Sequence, residues 1–182
     1  PADDAPAILR AVAARGWIVG HILATHAHFD HVLAADDLRR ATGAPFRLHE
    51  ADLPLLRAMP QTGQLFGLEL PPAPEPDGFV AAGERIAVGG LALEALFTPG
   101  HSPGHVSYVL AADQMVFSGD CLFQGSIGRT DLPGGNHGQL LRSIREQLLP
   151  LGDAYRVAAG HGPWTTIGAE RDTNPFLTDD RL

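Results

Sequence analysis

Residues 25–31 read T-H-A-H-F-D-H, and the rest of the chain makes sense as their support. Small or apolar residues lead into them (Gly20, Ile22, Leu23 and Ala24 around His21), and a helical pattern follows. His26, His28, Asp30 and His31 put three imidazoles and a carboxylate within six residues. These are ligand types that suit zinc, iron(II) or manganese. On an extended strand end His26 and His28 would point the same way, because side chains alternate with period two. A turn into a helix would then project Asp30 and His31 in another direction, so one stretch could feed two adjacent metal positions. A single histidine on such a strand is ordinarily a core or surface residue. Four such groups close together are harder to bury without partners.

Outward from this stretch, helix and strand alternate. Asp3-Asp4 before Ala5-Pro6 reads as a helix start, and Gly16 as its end. Residues 17–25 read as a buried strand. A helix is expected over residues 32–42, closed by Gly43, then a short strand at 46–49 and a short helix at 50–59 interrupted at Pro54. Residues 60–78, rich in Pro, Gly and Gln, read as a long surface connection whose Leu65, Phe66, Leu68 and Leu70 cover a pocket or pack on the core. Residues 84–88 and 91–97 read as strands paired around Gly89-Gly90, and 106–110 with 115–118 as a second pair. A helix over 137–149 capped by Asn136, and a last strand at 156–159, complete a mixed sheet covered by helices.

Three further strands each stop at a glycine followed by a ligand type: Gly100-His101, Gly119-Asp120 and Gly160-His161. Glycine lets the backbone turn sharply and approach an ion closely. His26, His28 and His101 can form one site, Asp30, His31 and His161 a second, and Asp120 can bridge them. Neither set contains a thiolate, so neither looks like a closed structural zinc site. Cys121 follows Asp120 and should face away from the metals, as a core thiol. His105 is a candidate to brace the His101 loop, while His21, His49, Tyr108 and Tyr155 read as structural. His137 is explained equally by a helix start or by a place near the 126–131 loop.

The chain has 182 residues, a formal net charge of −8 and a single cysteine. That length suits one domain, 1–182. The acidic balance opposes nonspecific binding to nucleic acid or an anionic membrane. No apolar run approaches the ~20 residues of a membrane helix, and no intrachain disulfide can form, so a cytoplasmic setting is expected. The chain opens on Pro1 rather than Met, which leads us to expect missing upstream residues.

T-H-A-H-F-D-H, T-P-G-H-S-P-G-H (98–105), Gly119-Asp120 and G-H-G-P (160–163) together resemble the metallo-β-lactamase superfamily. Within it the chain is most similar to the glyoxalase II-like (hydroxyacylglutathione hydrolase-like) enzymes of the short bacterial type, through L-F-Q-G-S-I-G-R-T-D-L-P-G-G (122–135) and T-N-P-F-L (173–177). The resemblance implies an α+β fold, the four-layer αβ/βα sandwich, with its N-terminal strands missing here. It implies a hydrolase of thioesters such as S-lactoylglutathione, a small-molecule partner, and two divalent metal ions, zinc first with iron or manganese as alternatives. Asp30 and Asp120 would be the catalytic carboxylates, and a metal-bridging hydroxide the nucleophile. Arg129 matches a basic glutathione-binding position, but Asp131 stands where those enzymes carry a tyrosine. Arg129 then either binds a substrate carboxylate or pairs with an acid such as Asp131. The alternative reading is a mononuclear iron persulfide dioxygenase using His26 or His28, His101 and Asp120. A β-lactamase fits less well.

Overall fold

Helix α1 (Ala5–Arg15) ends where Gly16 turns left-handed at φ 63°, with its N–H on the Ala13 carbonyl and the Trp17 N–H on the Val12 carbonyl. That pair of bonds satisfies the carbonyls a helix end would otherwise leave open. The computed structural model describes residues 4–178. Asp3 of the expected helix start, and Pro1, lie outside them. The chain divides into two compact units, Pro1–Val80 and Ala81–Leu182.

In the first unit three short strands, β1 (Ile22–Leu23), β2 (Phe46–Leu48) and β3 (Gly78–Phe79), pair in parallel in that order. The expected strand at 17–25 is therefore much shorter. Trp17 and Ile18 are exposed, and Arg15 stacks over the Trp17 ring at 5.0 Å. The helix expected over 32–42 is two helices, α2 (Phe29–Val32) and α3 (Ala35–Thr42), the second closed by Gly43 at φ 71°. Pro54 does not interrupt a helix. It sits in the first turn of α4 (Leu53–Arg57), where its missing N–H costs nothing. Helix α5 (Met59–Leu65) occupies the start of the expected loop. Phe46, Leu48, Leu56, Met59 and Val32 form the core, with Leu70 packed against it, whereas Leu65, Phe66 and Leu68 are exposed. Each fully buried side chain of this size contributes roughly 1.5–3 kcal/mol.

In the second unit the described residues form a six-stranded sheet: β4 (Arg85–Val88), β5 (Leu91–Phe97), β6 (Val106–Leu110), β7 (Met115–Gly119), β10 (Arg156–Ala159) and β11 (Thr165–Thr166). Strands β4 to β7 meander antiparallel, β10 joins β7 in parallel, and β11 adds antiparallel at the edge. A small hairpin, β8 (Leu122–Phe123) and β9 (Ser126–Ile127), follows β7. Helix α6 (His137–Ser143) is capped by Asn136, which accepts the Gln139 N–H at 2.9 Å, and runs on into a wider turn over Ile144–Leu148. Leu140, Leu141, Ile144 and Leu148 pack with Val109, Val116 and Val157 of the sheet and with Ile167 of α7 (Ile167–Thr173).

After α7 comes α8 (Pro175–Thr178). Between them Asn174, fully buried, donates to the Ser126 carbonyl at 3.0 Å and to Glu170 at 2.8 Å. Glu170, itself buried, also accepts from Gly125 N–H and Thr165 Oγ1. Strand β11 and these contacts were not expected from sequence. Among the described residues no helix is long and apolar enough to cross a membrane.

Candidate metal centre

In the first unit the T-H-A-H-F-D-H stretch begins after β1 has ended, and its turn is made at His28, extended at ψ 145° just before α2. His26 is enclosed, with its ring centroid 4.8 Å from His28 and 4.2 Å from His31. His31 Nε2 lies 3.4 Å from Asp30 Oδ2. The unit thus gathers these four side chains. Thr25 Oγ1 holds His26 Nδ1 at 3.0 Å, which leaves Nε2 as the nitrogen to offer a ligand. The peptide between the first two histidines is held from afar: the buried Asp52 accepts the Ala27 N–H at 2.9 Å. Sequence reading missed Asp52, which carries no motif and sits in an ordinary short helical turn. His49 accepts the Ala51 N–H, a structural role as expected.

In the second unit the loop after β5 is closed on itself. Thr98 N–H donates to the His105 carbonyl at 2.9 Å, and Thr98 Oγ1 meets His105 Nδ1 at 2.9 Å. The loop is also fastened to α6. Ser143 Oγ donates to the Pro99 carbonyl at 2.7 Å, and Asn136 N–H to the Gly100 carbonyl at 2.7 Å. Gly100, at φ 135°, leaves no room for a side chain, because a Cβ there would overlap the Leu140 backbone. His101, nearly buried, stands in this loop. Its Nδ1–H donates to the Arg129 carbonyl at 2.7 Å, so its Nε2 carries the lone pair. That Nε2 lies 3.6 Å from Asp120 Oδ2, and His161 Nε2 lies 3.6 Å from the same oxygen. His161 is the most open of the three.

Arg129 enters through its backbone. Its guanidinium grips Asp131 with two bonds of 2.7 Å, the ion pair that was one of the two expectations. That grip holds the Asp131 carboxyl down at about 2, and Asp131 in turn raises the Arg129 pKa. Cys121 is buried in the sheet-and-helix core, and burial pushes its thiol up, so it stays protonated. His105 braces the His101 loop as expected, pinning its two ends through Thr98, and it also accepts the Asp120 N–H at 3.1 Å. His137 opens α6, with its ring centroid 6.4 Å from that of Phe176.

Imidazoles and carboxylates with no thiolate make a donor set for a borderline or harder divalent ion. The superfamily profile described as "Metallo-beta-lactamase superfamily" matches residues 1–161. The chain belongs to the metallo-β-lactamase superfamily. Its relatives in this superfamily include the "Probable metallo-hydrolase YqgX" of Bacillus subtilis, 43% identical over 179 residues, covering 97% of this chain and 84% of that one. The "Hydroxyacylglutathione hydrolase GloC" of Haemophilus influenzae is 40% identical with the same coverage. Among solved structures of the superfamily fold, the BLEG-1 B3 metallo-beta-lactamase matches at TM-score 0.91 and 42% identity, covering 98% of this chain and 87% of that one. TTHA1623 in a di-iron-bound form matches at TM-score 0.88 and 43% identity, over 97% and 87%. The metallo-β-lactamase fold, α/β with mixed sheets, is therefore the fold of this chain.

Proposed function

We propose that this chain is a metal-dependent hydrolase of thioesters, with S-lactoylglutathione and related acyl-thiol compounds as the substrate class. In this reading, taken from the sequence motifs, His26, His28 and His101 would hold one divalent ion, Asp30, His31 and His161 a second, and Asp120 would be shared. The observation that carries it is the Asp120 carboxylate flanked by two imidazole nitrogens, each 3.6 Å from one oxygen, in a member of this superfamily. The GloC name of one relative and the di-iron form of another support it.

When bound, a pair of such ions supplies Lewis acidity, making water nucleophilic near neutral pH and polarising a carbonyl. The protein's own share is orientation and proton handling. The Arg129 carbonyl and Thr25 hydroxyl fix two imidazoles with Nε2 available. Asp30, more exposed than His31 beside it, can take the proton of the attacking water. A thioester releases a thiolate whose conjugate acid has a pKa of about 8.5, so departure needs no strong general acid. An amide would need one.

The test is elemental analysis of the purified protein with a panel of thioesters, esters and a chromogenic cephalosporin. About two metal ions per chain and preference for thioesters are expected. One iron per chain with oxygen consumed on glutathione persulfide would replace this reading with the dioxygenase. Preferential cephalosporin turnover would replace it with a β-lactamase.

A further inference from the structure

The imidazole of His105 is fully buried and reaches two strand ends at once. Its Nε2 accepts the Asp120 backbone N–H at 3.1 Å, and its Nδ1 lies 2.9 Å from Thr98 Oγ1. A backbone amide can only donate, so Nε2 must carry the lone pair and Nδ1 the proton, which it gives to the Thr98 hydroxyl. One tautomer is thereby imposed.

The peptide that His105 holds is the one joining Gly119 to Asp120. Gly119 is left-handed at φ 52°, a conformation with little steric guidance of its own. The carbonyl of the same peptide accepts the Gly160 N–H at 2.8 Å, from the residue before His161. Both polar atoms of a single peptide plane are therefore tied down, one by the strand that delivers His161 and the other by His105. We infer that His105 is a positioning residue for the metal site: it fixes the plane of the 119–120 peptide and so sets where the Asp120 carboxylate stands between His101 and His161. The inference rests on Asp120 being a metal ligand, as proposed above.

Cobalt(II) titration tests it, with ligand-field absorption and stoichiometry followed for the wild type, His105→Gln and His105→Asn, and a melting temperature recorded for each. Glutamine puts a carbonyl oxygen near the Nε2 position and keeps an acceptor for Asp120. Asparagine keeps a donor near the Nδ1 position for Thr98 and drops that acceptor. His105→Gln should bind cobalt nearly as the wild type does. His105→Asn should bind it about 10–100-fold more weakly, with an altered absorption band. Equal affinities in all three proteins, or losses that follow only the melting temperature, would overturn the inference. A wild type that binds no cobalt would instead sink the metal reading itself. A long-range proton–nitrogen spectrum of the zinc-loaded wild type needs no substitution. It should show His105 protonated on Nδ1, with a coupling from the Asp120 amide nitrogen to Nε2. A proton on Nε2 would overturn the assignment.

Discussion

Gly128 and the Asp120 carbonyl approach so closely that no side chain fits between them. A Cβ at position 128 would overlap that oxygen and stand 3.1 Å from His101 Nδ1. Gly128 thus lets the chain that bears the Arg129 carbonyl run beside both ligand loops, and the requirement is one of space rather than of a left-handed backbone. Gly128→Ala should destabilise the fold by at least ~1–3 kcal/mol, because backbone must shift to admit the methyl. It should also lower metal content. Chemical denaturation and elemental analysis would check the two effects. A variant with wild-type stability and metal would show that the approach is not required.

Asp52 offers a different kind of test, since it holds the first ligand loop through the Ala27 N–H. Asp52→Ala leaves a buried amide without its carboxylate and should cost about 1.5–3 kcal/mol in urea denaturation. Asp52→Asn retains a carbonyl acceptor and should cost less. Equal losses in the two variants would mean that the hydrogen bond to Ala27 is not what Asp52 contributes.

These two residues also mark where sequence reading stopped. The ligand types were legible because T-H-A-H-F-D-H, Gly100-His101, Gly119-Asp120 and Gly160-His161 pair a glycine or a turn with a donor at short range. The hairpins were legible for the same local reason, Gly89-Gly90 between two apolar runs. Asp52 to Ala27 spans 25 residues, and His101 to the Arg129 carbonyl spans 28. Neither contact depends on a motif, and the second uses a backbone atom that any residue would supply. The exposed stretch at Trp17 and Ile18 misled because apolar composition was read as burial, whereas it follows a helix cap and precedes a two-residue strand.

The Arg129–Asp131 pair gives a pH prediction with a definite sign. The Asp131 carboxyl lies at about 2, below its ordinary value, because Arg129 binds the ionised form. A lowered carboxyl pKa favours the fold above the unfolded value near ~3.9, and that contribution disappears as pH falls toward 2. Both side chains are exposed, so the contribution to stability is small. Carbon-13 titration should find the Asp131 midpoint moving up toward the ordinary range in Arg129→Ala. An unmoved midpoint would deny the guanidinium its role.

The same pair bears on substrate choice. Asp131→Ala releases the Arg129 guanidinium, which should lower KM for thioesters of anionic thiols such as glutathione more than for thioesters of neutral thiols. Equal change for both substrates would place Arg129 away from the bound thiol moiety.

Cys121 should be silent to thiol reagents. Buried, with its thiol pushed up by loss of water, it offers almost no thiolate at pH 8. An alkylating reagent should fail to label the native protein within the time that labels it fully in denaturant. Rapid labelling of the native state would require this part of the core to open.

Asn174 fastens the segment after α7 to the hairpin that leads into Gly128 and Arg129. The stretch 174–178 is thus less an appendage than a rivet. Trimming the chain after Thr173 would leave Gly125 on Glu170 but remove the Asn174 bond to the Ser126 carbonyl. That would loosen the hairpin that leads into the Arg129 carbonyl on which the His101 ring leans, at a place far from the cut in sequence. A shortened chain should therefore keep Asn174.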